Sequence, residues 1–171
     1  PVLRPALELR LASLAAQGGA PAGDTAASAA VAASLPLVWA CRDFVAESCL
    51  RDAGLLAWLV GEDRLHVKAT REVLEQDLAS DPALDAGAPA DDAGFLDALR
   101  RFRRRQLVRI AWRDLASLAD VETILAELTL LADVCIGAAC ERASQELAAR
   151  YGVPRGADGR LLALLVLGMG K

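Results

Sequence analysis

Apolar residues recur through most of this chain at the three- and four-residue spacing of a single helix face. Residues 3–16 carry Leu7, Leu9, Leu11 and Leu14 and stop at Gln17-Gly18-Gly19 and Pro21, which predicts a first helix. The stretch that follows, through Ala33, is mostly alanine and serine. Its helix propensity is high but it has little bulk to anchor, so a loosely packed entry is expected. Leu35-Pro36 is expected to open a firmer helix containing Val38, Trp39, Cys41, Phe44, Val45 and Cys49, with a short one over 55–59 ahead of Gly61. Residues 63–78 read as another amphipathic helix with Leu65, Val67, Val73, Leu74 and Leu78 inward.

From Asp81-Pro82 onward the large apolar residues vanish and prolines, glycine and acids take over, which predicts a loop over 81–94. Beyond it a long helix over about 95–118 is followed by a second over 121–151. Asp120 serves as N-cap of the second helix, and Gly152 with Pro154 stops it. At 1.5 Å per residue these helices measure roughly 35 Å and 45 Å, enough for a long antiparallel hairpin over 95–152. Val121, Ile124, Leu125, Leu128, Leu131 and Cys135 form the stripe expected to face the core. Gly137 suggests a close helix approach or a bend.

The pattern then changes. Asp158-Gly159 signals a turn, and residues 161–167 are a continuous apolar run of strand length. Such a strand needs neighbours, and no comparable candidate lies upstream. Either the run is helical, or its sheet belongs to other residues. By itself it is expected to be disordered, helical or packed on the helices. The chain thus divides into a helical region over 1–80, the loop, the hairpin, and a turn with a first strand over 153–171.

Composition supports an α-rich fold. Hydrophobic residues make up 54% of the 171 but aromatic ones only 4%, so alanine and leucine supply the apolar content and both favour helix. Cys41, Cys49, Cys135 and Cys140 include no Cys-x-x-Cys pair, and with the single His66 they offer no zinc spacing; no metal site is expected. Each cysteine sits in a periodic segment as a small buried thiol would, which fits a reducing cytoplasm. Charged residues interrupt every long apolar stretch, so no membrane span is expected.

Two charged or glycine-rich clusters could carry function. Arg100, Arg101, Arg104 and Arg105 share one polar arc opposite Phe95, Leu99, Phe102 and Ile110. Arg103, Arg109 and Arg113 fall in or beside the apolar arc. They serve either as a docking surface for an anionic partner or as structural ion pairs, such as Asp97 with Arg101 elsewhere on the helix. Nucleic acid is disfavoured, because the chain has a net charge of −4 and the cluster lacks interleaved exposed aromatics. At the end, Gly168, Gly170 and Lys171 follow the apolar run, where glycines let backbone N–H groups approach a phosphate and a lysine neutralises it. A plain tight turn accounts for them equally well.

Three stretches go further: residues 37–45 (LVWACRDFV), 99–115 (LRRFRRRQLVRIAWRDL) and 164–171 (LLVLGMGK). In this order and spacing the chain resembles the N-terminal portion of the bifunctional glutamine synthetase adenylyltransferase/adenylyl-removing enzymes of bacteria. The resemblance implies a helical bundle leading into the first strand of a truncated nucleotidyltransferase α/β domain. It also implies a cytoplasmic regulator of nitrogen assimilation. In that family one half adenylylates a tyrosine of glutamine synthetase with ATP. The N-terminal half removes the group by phosphorolysis, releasing ADP, under a PII-type signal protein. The family's Gly-Met-Gly-Lys leads into a Gly-Gly turn, a serine and an Asp-x-Asp pair that holds Mg²⁺. Only Gly168, Gly170 and Lys171 map onto that site, no catalytic residue is present, and the chain as it stands is expected to be inactive. A non-catalytic helical interaction module with an arginine-rich docking helix is the alternative.

Overall fold

A computed structural model describes residues 3–16, 26–52, 54–81, 84, 92–162 and 164–168. These fold into helices α1 (Leu3–Ala16), α2 (Ala26–Cys41), α3 (Asp43–Arg51), α4 (Leu55–Val60), α5 (Arg71–Ala79), α6 (Asp92–Leu115) and α7 (Val121–Tyr151), with a 3-10 turn at Gly61–Asp63. The mostly helical expectation holds, and several of its details are corrected.

From Ala26 onward, where it is described, the alanine-rich stretch is not a loose entry. It forms the first half of α2, and Pro36 lies inside that helix instead of opening it. Small side chains let α2 come close to its neighbours, so Ser28 and Val31 are buried along with Leu35, Val38 and Trp39. The helix expected over 63–78 begins only at Arg71, behind an N-cap at Thr70. Side chains from elsewhere occupy the backbone groups of the preceding segment. Arg113 donates to the carbonyls of Leu65 and Val67, and the Ala69 N–H donates to Glu127.

α6 is the axis of the molecule. On one side its Val108 and Trp112 complete a core built from α1 to α4, including Leu14, Val31, Trp39, Val45, Leu56 and Leu59. On the other, Phe95, Ala98, Phe102 and Ile110 join Leu74 of α5 and Ile124, Leu131 and Val134 of α7. The hairpin of α6 and α7 is antiparallel. Arg109 stands against Glu127 near the connection, and Arg142 reaches Asp92 and the face of Phe95 at the far end. Asp120 caps α7 by accepting from the Thr123 N–H at 2.8 Å. A hydrogen bond from the Thr123 side chain, followed by this one from its backbone, holds the Asp120 carboxyl below its ordinary range. Gly152 ends the helix at φ +82°, a conformation suited to glycine.

The face of α7 turned inward differs from the stripe read from the sequence. Ile124, Glu127, Leu131 and Val134 are buried. Val121 and Leu125 lie outward, 65% and 57% exposed. The helix is rotated so that its one inward carboxylate meets the arginines of α6. Gly137 marks no close approach, since a Cβ there would meet nothing within 4 Å.

The apolar run at the end forms no sheet among the described residues. A single antiparallel bridge joins Arg155 and Leu161, and the described residues of 161–167 are exposed, Leu165 to 78%. Leu162 and Leu164 border a gap of about 790 Å³ against Cys140 and Leu147 of α7. By length and composition alone α7 could cross a bilayer, with a mean hydropathy of 1.8 over its most apolar stretch. Its first half instead packs on α5 and α6 and carries a buried carboxylate into an ion-pair cluster, which is the behaviour of a core helix.

Candidate functional site

The polar groups buried on α6 gather around two carboxylates. Arg109 and Arg113, both inward on α6, converge on Glu127 of α7. Arg109 Nη1 lies 2.9 Å from Glu127 Oε2, and Arg113 Nη2 lies 3.5 Å from Oε1, which also accepts from the Ala69 N–H at 3.0 Å. Glu127 is 1% exposed. Burial pulls the Arg109 guanidinium below its ordinary pKa, and the nearby Glu127 charge acts in the opposite direction. Of the two roles left open by the sequence, Arg109 and Arg113 therefore take the structural one. They are not available for docking.

A turn earlier, Asp77 of α5 accepts from Arg64 at 2.6 Å and from Gln106 at 2.8 Å. The Arg64 guanidinium lies over the Trp58 ring, 4.6 Å from its centre. These two knots tie α5, the irregular segment 64–70 and α7 to α6. A salt link inside the protein holds position as much as it stabilises, because each charge loses hydration on burial.

Arg103 is exposed and forms no ion pair among the described residues. The expected link of Asp97 to Arg101 is replaced by two others: Arg100 pairs with Asp97 at 2.8 Å, and Arg101 reaches Asp81 at 3.2 Å. Arg105 donates from both Nε and Nη2 to Asp52, at 3.1 and 3.0 Å. Among the phosphate-turn candidates, Gly168 sits in open space, and Gly170 and Lys171 lie outside the described residues. No three His, Cys, Asp or Glu side chains come together in a metal-holding group among the described residues.

Sequence reasoning missed Glu127, Asp77, Gln106 and Asp52. For Glu127 a signal existed. It is the one acid on the inward face of α7, and it and Arg109 stand equally far from Leu118 in the connection, as residues facing each other across a hairpin must. Asp77 and Asp52 carry no such local mark, because their partners come from distant parts of the chain.

All four cysteines are free. Burial pushes the Cys49 thiol up to about 12 and raises that of Cys135 as well. Neither is a poised nucleophile. His66, in a turn and not in a helix, is exposed beside Asp63 with Nδ1 2.6 Å from its carboxylate.

Comparison with known proteins gives this arrangement a family. The description "Glutamate-ammonia ligase adenylyltransferase" belongs to the family that matches residues 32–171, from α2 through the final apolar run. The chain belongs to this family. It is similar to the bifunctional glutamine synthetase adenylyltransferase/adenylyl-removing enzyme of Thioalkalivibrio sulfidiphilus, 37% identical over 138 residues, covering 81% of this chain and 14% of that protein. The protein of the same description from Pseudomonas aeruginosa is 38% identical over 135 residues, covering 78% of this chain and 13% of its own length. That of Nitrosococcus oceani is 34% identical over 149 residues, covering 86% and 15%. The chain therefore spans about one seventh of the length of these relatives in the adenylyltransferase family. No solved structure matches it significantly.

Proposed function

We propose that this chain is the N-terminal helical part of an enzyme that adenylylates and deadenylylates a tyrosine of glutamine synthetase, and that it belongs to the deadenylylating half. In this reading the residues over 161–167 are the first strand of a nucleotidyltransferase domain. Gly168, Gly170 and Lys171 begin its phosphate turn.

The observation that carries the reading is the condition of that segment. Six leucine or valine side chains, at 161, 162 and 164–167, stand 48–78% exposed, with no sheet among the described residues, immediately ahead of a glycine. Apolar surface of that kind is stable only when covered. A parallel sheet continuing in the longer relatives would cover it on both faces.

The helical part then acts as a scaffold. The Arg109–Glu127–Arg113 cluster holds α6 and α7 in register, and α7 delivers the chain through Gly152 to the start of the catalytic sheet. ATP or ADP and phosphate are proposed to bind at the turn that Gly168, Gly170 and Lys171 begin, and Mg²⁺ to bind carboxylates outside this chain's 171 residues. Glutamine synthetase and a PII-type signal protein are the proposed partners, in the cytoplasm.

The experiment compares residues 1–171 with a chain extended to the full length of the relatives. Each is incubated with adenylylated glutamine synthetase and phosphate, and ADP release is measured. The extended chain is expected to release ADP and the short one to release none. Phosphorolysis by residues 1–171 alone would overturn the reading, as would a coding sequence beyond Lys171 without Gly-Gly followed by Ser-Asp-x-Asp.

A further inference from the structure

Four arginines, two of them held by carboxylates and two without an ion pair among the described residues, surround a trough between α3 and α6. Arg51 ends α3, and Arg101, Arg104 and Arg105 project from successive turns of α6. Together they line a depression of about 510 Å³ whose floor is Gly54 and Leu55 and whose one lining carboxylate is Asp52. Four guanidinium groups against Asp52 and the Asp81 that pairs with Arg101 give this surface a local charge of +2, in a chain whose net charge is −4.

The four are not equivalent. Asp52 holds Arg105 through two hydrogen bonds, and Asp81 holds Arg101, so these two guanidinium groups are fixed in direction while remaining 39% and 55% exposed. Arg51 and Arg104 form no ion pair among the described residues. Like charges gathered this closely repel one another, and an added anion relieves that repulsion.

The shape decides the class of anion. Arg101 and Arg105 are shared with a second depression of about 190 Å³ that reaches along α6 to Ser80 and Gln106. The two adjoin along α6, so the guanidinium groups extend along the helix instead of converging on one enclosed point as the groups of a small-ligand pocket do. Trp58, the indole beside it, already lies under Arg64, so no open aromatic face is offered to a nucleobase.

We infer that this trough binds an acidic segment of a partner protein, with glutamate or aspartate carboxylates taken in forked pairs by Arg51 and Arg104 and flanked by the oriented Arg101 and Arg105. The site is separate from the proposed nucleotide chemistry and does not depend on it.

The test uses residues 1–171 and a fluorescein-labelled octaglutamate peptide, with fluorescence anisotropy read at low and at physiological salt. Saturable binding that weakens with salt is expected. The R51E/R104E variant should weaken it about tenfold or more, and the neutral R51Q/R104Q variant by less. The control R150E/R160E carries the same charge change on remote exposed arginines and should bind as the unmodified chain does. Circular dichroism establishes that each variant is folded, and the neutral pair serves if the reversed pair is not. Absence of binding, or equal losses in the trough and control variants, would overturn the proposal. So would tripolyphosphate or single-stranded DNA binding the trough more tightly than the peptide.

Discussion

Glu127 shows what a single side chain does in this molecule. It accepts from a backbone N–H of the segment before α5 while its charge balances two arginines of α6, all out of contact with water. Glu127→Gln preserves the shape but leaves two buried guanidinium groups without a counter-charge. A loss of about 3–5 kcal/mol is expected, read as a lower urea midpoint at unchanged slope. Because much of that loss is the cost of orphaned charge, the double variant R109M/E127M should lose less than the sum of its single variants. A shift below about 1 kcal/mol for E127Q would mean that the pair behaves like an exposed one. The arginines themselves were legible in the sequence, since cations on an apolar arc demand partners. Which partner they find was only hinted at by the equal spacing of Arg109 and Glu127 about Leu118, because a carboxylate on another helix becomes a neighbour only when the hairpin closes.

At the scale of elements, α6 and α7 were legible because they are long, periodic and punctuated by a capping aspartate and a terminating glycine. Segment 64–70 was misread for an opposite reason. Its apolar spacing suits a helix, but Arg113 and Glu127 take up backbone groups that a helix would pair internally. The glycine inside α7 and the one that ends it give opposing expectations. Gly137 lies within the helix in open space, so Gly137→Ala should stabilise by about 1 kcal/mol through helix propensity alone. Gly152, at φ +82°, should tolerate no such change, and Gly152→Ala should fray the last turn of α7. Thermal unfolding of the first variant and amide exchange over the last turn in the second check the pair. A lower Tm for G137A would show that the helix meets a neighbour there after all.

At the scale of the whole molecule, one side of α7 and the run after it form an apolar surface that nothing described covers, including Leu125, Ile136 and Leu147. L125Q/L147Q is expected to leave stability within about 0.5 kcal/mol and to reduce concentration-dependent association in sedimentation velocity. A loss of several kcal/mol would place those leucines in a core. The sequence by itself determined the helical class, the long hairpin with its caps, the family, and the demand of buried arginines for partners. Each of these is written in local spacing, in residue type or in a contiguous motif. The tertiary structure alone decided which face of α7 turns inward, that Arg109 and Arg113 are internal while Arg51 and Arg104 form no ion pair among the described residues, and that Ser28 and Val31 of the alanine-rich stretch are buried. Those outcomes depend on charges and surfaces brought together from distant parts of the chain, and periodicity along one helix cannot encode them.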